Sequence, residues 1–177
     1  RADPKRRSLA PGRARARDVS GILDGLSVRA PADLLEAFVD GHVRKDEGFD
    51  EALSNIVSPG YFDVMGIPLR AGTDFTAIDD SAAPPQAIVN EEFVNRYIGE
   101  KEPIGRRLQA RGRQYVISGV VRNSLYNAFG EPPTPIIYFS YRDTPQPRGE
   151  IHLRTRARAE TAISPEVRRL VRELDPD

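Results

Sequence analysis

The chain has 177 residues, with 26 basic and 26 acidic side chains, a formal net charge of zero, 39% apolar residues and 29% charged ones. That is enough to bury a core as one soluble domain or two small ones, and the balanced charge argues against a dedicated nucleic-acid binder. The absence of cysteine excludes a disulfide framework, thiolate metal sites, haem thioether attachment and a Cys nucleophile, and with only His42 and His152 a three-histidine zinc site is excluded as well.

No window approaches the roughly 20 consecutive apolar residues that cross a bilayer, and no signal-peptide pattern opens the chain. An opening Arg1 reads as the start of a fragment or processed product. Charge is uneven along the chain. Residues 1–17 carry seven basic residues against one acid, with Pro4, Pro11 and Gly12 and only Leu9 as a large apolar side chain. Such a stretch cannot bury a core and reads as a mobile basic arm. Residues 18–51 carry nine acids against three bases. Within them Leu34, Leu35, Phe38 and Val39 after Pro31 predict a helix over 32–39, stopped at Gly41; the rest of 18–53 is weakly patterned.

Patterning sharpens from Ser54. Ser58-Pro59 predicts a capped helix start running through Tyr61, Phe62, Val64 and Met65 to Gly66, followed by a Gly66/Pro68 connector. Gln86–Val89 predicts a strand. Asn90 then caps a helix with Glu91 and Glu92 in its first turn, where they favour the dipole, and with Phe93, Val94, Tyr97 and Ile98 inward. Ile104–Leu108 and Gln114–Val121 predict two strands around an Arg111-Gly112 hairpin turn. In the second, Tyr115, Ile117 and Val121 share one face and Val116 and Val120 the other, the signature of a central strand. Ile136–Tyr141 is a further strand. Ile151–Thr155 reads as half exposed, with His152 and Arg154 outward. Ser164-Pro165 starts a last helix with Val167, Leu170, Val171 and Leu174 on one face. In total, about six strands and four helices in mixed order describe an α+β fold. Tyr61, Phe62, Phe93, Tyr97, Val116, Val120 and Tyr138 are expected in the core.

The search for chemistry is mainly negative. Asp79-Asp80 with Asp74 upstream pairs carboxylates that can take Mg²⁺ or Ca²⁺, but the spacing matches no calcium loop and suits a polar loop. Glu91 and Glu92 diverge by about 100° on a helix and do not converge on one atom. His42 and His152 stand alone. No G-x-S-x-G elbow and no Gly-rich phosphate loop occurs. Arg106, Arg107, Arg111 and Arg113 crowd one hairpin, either as an anion or partner patch or, preferred here, as a solvated tip whose charges guard against aggregation. No catalytic, cofactor-binding or metal-binding residue is assigned.

Several segments taken in order carry a resemblance. Asn55-Ile-Val-Ser-Pro-Gly-Tyr-Phe-Asp-Val-Met-Gly-Ile-Pro-Leu-Arg-Ala-Gly-Thr-Asp-Phe75 is followed by Ala87-Ile-Val-Asn-Glu-Glu-Phe-Val-Asn-Arg-Tyr97 and Pro103-Ile-Gly-Arg-Arg-Leu108. Val116-Ile-Ser-Gly-Val-Val121, Gly130-Glu-Pro-Pro-Thr-Pro-Ile-Ile-Tyr-Phe139 and Leu170–Asp177 come next. This order resembles the extracytoplasmic core domain of MacB-like ABC transporter permeases, of the FtsX type, in the flavour of the duplicated orphan permeases. The resemblance spans roughly residues 54–177.

It implies an α+β fold with a β-rich lobe over 54–149, carrying short helices, and a partial porter-like α/β layer, its strand–helix unit at 150–177. The preceding segments are the basic arm at 1–17 and the weakly patterned 18–53. It further implies a non-catalytic domain on the extracytoplasmic, periplasmic face of the cell membrane, without cofactors. Such a domain couples transmembrane motion to substrate or partner handling (mechanotransmission). The implied partners are the permease's transmembrane helices, an ABC ATPase domain or subunit, and a periplasmic adaptor or second permease copy; no nucleic acid is expected. Residues 1–50 depart from the family, lacking its usual strand, long helix and Leu-Pro-Gly-Val-like turn. The rival expectation is a free-standing soluble module using the basic arm on an anionic partner. A hydrolase would have only Asp79, Asp80 and the two histidines to offer.

Overall fold

Strand 33–39 decides the architecture, because its apolar residues alternate rather than stripe. The computed structural model describes residues 23–29, 33–42, 50–76, 84–124, 130, 132–146, 148–156 and 160–174. Among them are nine strands and three helices, in the order β1 (Leu23–Arg29), β2 (Asp33–Val39), β3 (Asp50–Val57), α1 (Tyr61–Met65), β4 (Leu69–Gly72), β5 (Gln86–Asn90), α2 (Glu91–Tyr97), β6 (Arg107–Ala110), β7 (Arg113–Val121), β8 (Ile136–Ser140), β9 (Glu150–Thr155) and α3 (Glu160–Leu174). This is an α+β fold, as expected. The larger of two compact units spans Gly25–Arg154, and α3 falls in the other.

In the larger unit the hydrogen bonding closes on itself. The strands run β2-β6-β7-β5-β8-β3, and β3 pairs back onto β2. β3 lies parallel to β8 and β5 parallel to β7; the other ring contacts are antiparallel. β4 adds to the free end of β7, and β1 and then β9 extend from β3. A six-stranded ring must fill its own interior with side chains. Every ring strand contributes: Ala37 and Val39 from β2, Leu108 and Ala110 from β6, Tyr115, Ile117 and Val120 from β7, Ala87 and Val89 from β5, Ile137 and Phe139 from β8, and Ala52 and Ile56 from β3. Phe93 and Ile98 of the α2 region join them. A second cluster forms on the other face of β3, β8, β5 and β7, where Val57, Ile136, Tyr138, Ile88 and Val121 meet Tyr61 and Phe62 of α1 and Phe75.

Two devices bend β7 so that it can serve both β6 and β4. Opposite β5 the register jumps from Ile117 to Gly119, leaving Ser118 as an extra residue, a bulge that turns the strand and resets its alternation. β4 then approaches closely at Gly72, whose φ is +73°, and a Cβ there would run into the Ser118 carbonyl. The bulge corrects one expectation: Val120, not Val121, shares the inner face with Tyr115 and Ile117.

Other elements differ from the sequence reading. Of the helix expected over 32–39, the described residues 33–39 form a strand instead, and residue 32 lies outside the described residues. Leu35, Ala37 and Val39 alternate inward while Leu34, Glu36 and Phe38 face out, and backbone pairing to β3 and β6 on both edges outweighs helix propensity, which is only a weak prior. β1, the start of β3 and β4 were unpatterned or connector in the sequence. β6 begins at Arg107, three residues later than expected. Ser58 does not cap α1; Gly60, in the left-handed region at φ 81°, occupies that position. α3 begins at Glu160, ahead of Ser164-Pro165, and holds Pro165 inside it. There Ser164 receives hydrogen bonds from the Arg168 guanidinium instead of capping a helix start.

Other expectations hold. Asn90 is buried and caps α2, its Oδ1 accepting from the Phe93 amide at 3.0 Å and the Ile136 amide at 2.9 Å while Nδ2 donates to the Thr134 carbonyl. One side chain thus fixes β5, α2 and β8 together. Of the expected core, Tyr61, Phe62, Phe93, Val120 and Tyr138 are buried, while Tyr97 and Val116 are half-buried. Phe93 is fully buried against Tyr97, ring centroids 5.0 Å apart. Phe93→Ala is expected to cost about 3–5 kcal/mol in urea melts, and a loss well below that range would contradict its place in the ring interior.

Candidate functional site

Of the four hairpin arginines, three donate hydrogen bonds to other parts of the chain. The β6–β7 turn places Arg111 at φ 51° and Gly112 at φ 69°, the paired positive φ values of a two-residue hairpin loop. From there the Arg111 guanidinium reaches across the ring's end. Its Nη2 donates to both Asp33 carboxylate oxygens, at 2.6 and 2.7 Å, and to Ser54 Oγ at 2.7 Å, while Ser54 Oγ also donates to Asp33. The same guanidinium lies 5.6 Å from the Phe139 ring centroid, within cation–π range. Arg106 donates to the carbonyls of Glu102 and Asp40, and Arg113 to the carbonyl of Asp143. Arg107 is exposed. The expectation of a solvated tip is therefore corrected for Arg106 and Arg111, which tie the hairpin to β2, β3 and a neighbouring loop, while Arg113 and Arg107 are exposed as expected.

The carboxylates are similarly occupied. Glu91 pairs with Arg70 at 2.8 Å and accepts from the Asn123 amide; Glu92 pairs with Arg96 one helical turn on. Asp74 accepts from the Phe75 and Gly60 amides. Burial pushes its carboxyl above the ordinary aspartate range, although those two amides pull the other way, and Asp63 adds a smaller upward push. Asp79 and Asp80 lie outside the described residues, as does the basic arm.

The histidines sit apart. His42 packs edge-on against Tyr97, and His152 edge-on against Tyr61. His152 was expected to face outward, but its half-buried ring lies beside that buried tyrosine, with Nε2 3.6 Å from Glu150. Glu150 also pairs with Arg29 across β1 and β9, and the Arg29 guanidinium holds its carboxyl below the ordinary range. Among the described residues, no group of three His, Asp or Glu side chains gathers as a metal site, and no helix is long and apolar enough to cross a membrane. Three concavities among the described residues are shallow. One, about 370 Å³, runs along β2 and β6 past Leu34, Glu36, Phe38 and Gln109. Leu34 and Phe38, expected on a buried helical stripe, stand outside because Leu35, Ala37 and Val39 alternate inward, a period-2 signal present in the sequence.

A sequence profile for the MacB-like periplasmic core domain matches residues 6–172. Sequence comparison with the curated proteins returns no match. Among solved structures, the periplasmic region of MacB from Actinobacillus actinomycetemcomitans superposes with a TM-score of 0.65 at 15% identity, covering 87% of this chain and 68% of that one. The extracellular domain of the noncanonic ABC-type transporter YknZ from Gram-positive bacteria superposes with a TM-score of 0.62 at 18% identity, covering 88% of this chain and 78% of that one.

Two measurements check the roles given to Arg111 and Asp74. A double-mutant cycle on Arg111→Ala and Asp33→Ala should give a coupling of about 0.5–1 kcal/mol, the upper part of the range for partly exposed pairs; zero coupling would make the contact incidental. For Asp74, a raised folded-state pKa means that the folded chain binds the proton more tightly, so stability falls as pH rises through the window above the ordinary aspartate value. The stability of Asp74→Asn relative to wild type should therefore increase with pH across that window and then level off. Urea melts over a pH series read this directly, and the opposite slope would reverse the assignment.

Proposed function

Because the chain belongs to the MacB-like periplasmic core domain family, we propose that it is the extracytoplasmic domain of an ABC transporter permease, held outside the cell membrane by the transmembrane helices of its parent. Its role is non-catalytic. It relays movement of those helices, driven by an ABC ATPase domain or subunit, to substrate or partner handling outside the membrane, with a periplasmic adaptor or a second permease copy as the partner class. The observation that carries this reading is the profile match over 6–172, nearly the whole chain. The site geometry is consistent with it: the described arginines and carboxylates that stood out in the sequence mostly hold strands together and do not converge on a reacting centre. Within this reading, residues 54–149 serve as the β-rich lobe and 150–177 as the strand–helix unit of a porter-like layer.

This chain has no cysteine, so in a parent protein whose cysteines elsewhere have been replaced the location is directly testable. Gln114→Cys, at an exposed position of β7, should react with a membrane-impermeant maleimide in intact cells carrying the parent protein. Labelling only after lysis would remove the extracytoplasmic placement. A fluorophore on the same cysteine should change its emission when the assembled transporter hydrolyses ATP. An unchanged signal there and at Thr76→Cys would remove the coupling role while leaving the location intact.

A further inference from the structure

The outward face of α3 carries a row of cations only partly matched by acids. Pro165, Arg168, Arg169 and Arg172 stand at i, i+3, i+4 and i+7, the spacing that puts side chains on one helix face. All four are exposed, whereas Ile163 is buried and Val167 half-buried on the other side. Arg169 pairs with Glu173 at 2.6 Å. Arg168 donates to the carbonyl and the hydroxyl of Ser164, both neutral groups. Arg172 has no carboxylate partner among the described residues. The helix dipole favours a cation in the last turn, where Arg172 stands, but it does not account for a row reaching back to Arg168. With Pro165 and Glu173 the three arginines line a concavity of about 390 Å³ along the helix.

We propose that this row docks α3 onto the headgroup phosphates of an anionic phospholipid surface. A guanidinium is a planar fork of donors that pairs with phosphate oxygens two at a time. A helix with its apolar face turned inward and its basic face outward suits a charged membrane surface. Magnitude selects the membrane over a soluble acidic protein. Each arginine near an anionic surface strengthens binding about five-fold, so three give roughly a hundred-fold. That is too little to capture a dilute soluble partner. It is enough for a body tethered beside a bilayer, where the effective concentration of headgroups is high. The proposal deepens the permease reading and rests on it for the nearness of the membrane. Vesicle binding by the chain itself does not depend on that reading. A failed vesicle assay therefore leaves the extracytoplasmic placement standing, and failed maleimide labelling leaves the vesicle result standing.

The test uses the full chain and sucrose-loaded vesicles, made either of phosphatidylcholine alone or of phosphatidylcholine and phosphatidylglycerol in equal parts. The chain should sediment with the anionic vesicles and not with the neutral ones. Arg168→Gln/Arg172→Gln should lower its partition onto anionic vesicles about twenty-five-fold, five-fold for each arginine. Its Tm should match wild type, because both side chains are exposed. Arg168→Lys/Arg172→Lys should keep most of the partition, and raising the salt should weaken it. Arg107→Gln/Arg122→Gln removes the same charge from exposed positions outside α3 and should lose far less. The proposal is overturned if neutral and anionic vesicles bind alike or if the α3 pair binds as wild type, since the basic residues of 1–17 would then account for any binding. It is overturned as well if the two pairs lose equally, since net charge alone would then suffice. If the α3 pair leaves vesicle binding unchanged but weakens binding of glycerol phosphate or of polyglutamate, the ligand is a soluble phosphate or an acidic protein, and the lipid proposal falls.

Discussion

Pairing of β2 on both edges is the constraint from which the rest of the larger unit follows. Its residues Asp33–Ala37 pair with β3 and Ala37–Val39 with β6, so a sheet that would otherwise end at two open edges closes into a ring. Closure removes the aggregation hazard of those edges, and it also fixes what may stand inside. Six strands leave little room, and the interior is filled by small residues set against large ones: Ala37, Ala52, Ala87 and Ala110 beside Tyr115, Phe139, Leu108 and Phe93. A larger residue at one of these alanines would strain the ring rather than deepen the core. The Arg111–Asp33–Ser54 contact belongs to the same closure, because it links the β6–β7 hairpin to both strands that meet at the seam.

The ring also explains why polar residues that looked like chemistry are mostly spent on structure. A buried polar group is costly unless bonded, and at the ends of a closed sheet the available partners are neighbouring loops and caps. Asn90 uses Oδ1 twice and Nδ2 once to hold β5, α2 and β8. Arg106 and Arg113 satisfy loop carbonyls. Glu91 joins Arg70 on β4 to the Asn123 amide beyond β7. These residues lend rigidity to a body whose proposed task is to transmit movement, and a relay needs stiffness more than it needs a reactive centre.

Much of this was legible from residue types acting locally. The Asn90 cap, the Arg111-Gly112 turn, the Gly66 stop and the apolar runs of β5 and β8 each depend on a few neighbouring residues, so the sequence states them directly. What was illegible depends on partners far along the chain. Residues 32–39 carry apolar side chains at both helical and strand spacings, and only pairing with Asp50–Ser54 and Leu108–Ala110 selects the strand. The exchange of Val120 for Val121 inside the ring comes from one extra residue, Ser118, opposite β5, which strict alternation cannot foresee. Arg111 looked solvent-bound because its acceptors, Asp33 and Ser54, lie 78 and 57 residues away. The set of chemically suggestive residues was found, but their use was set by topology. The outward β2 face was missed for the same reason, since a residue's side of a sheet is undefined until the strand is recognised.

A division of labour between the two faces of the ring follows. Inward residues answer to closure: their sizes are coupled around the ring, and a change in one must be met by its neighbours across the interior. Outward Val57 of β3, Ile136 and Tyr138 of β8, Ile88 of β5 and Val121 of β7 answer to α1, whose Tyr61 and Phe62 pack on Tyr138. Along β2, Leu34, Glu36 and Phe38 face outward and are exposed, as is Glu51 opposite Glu36. The paired glutamates are less stable there than neutral polar residues would be, because like charges opposite one another on a sheet repel.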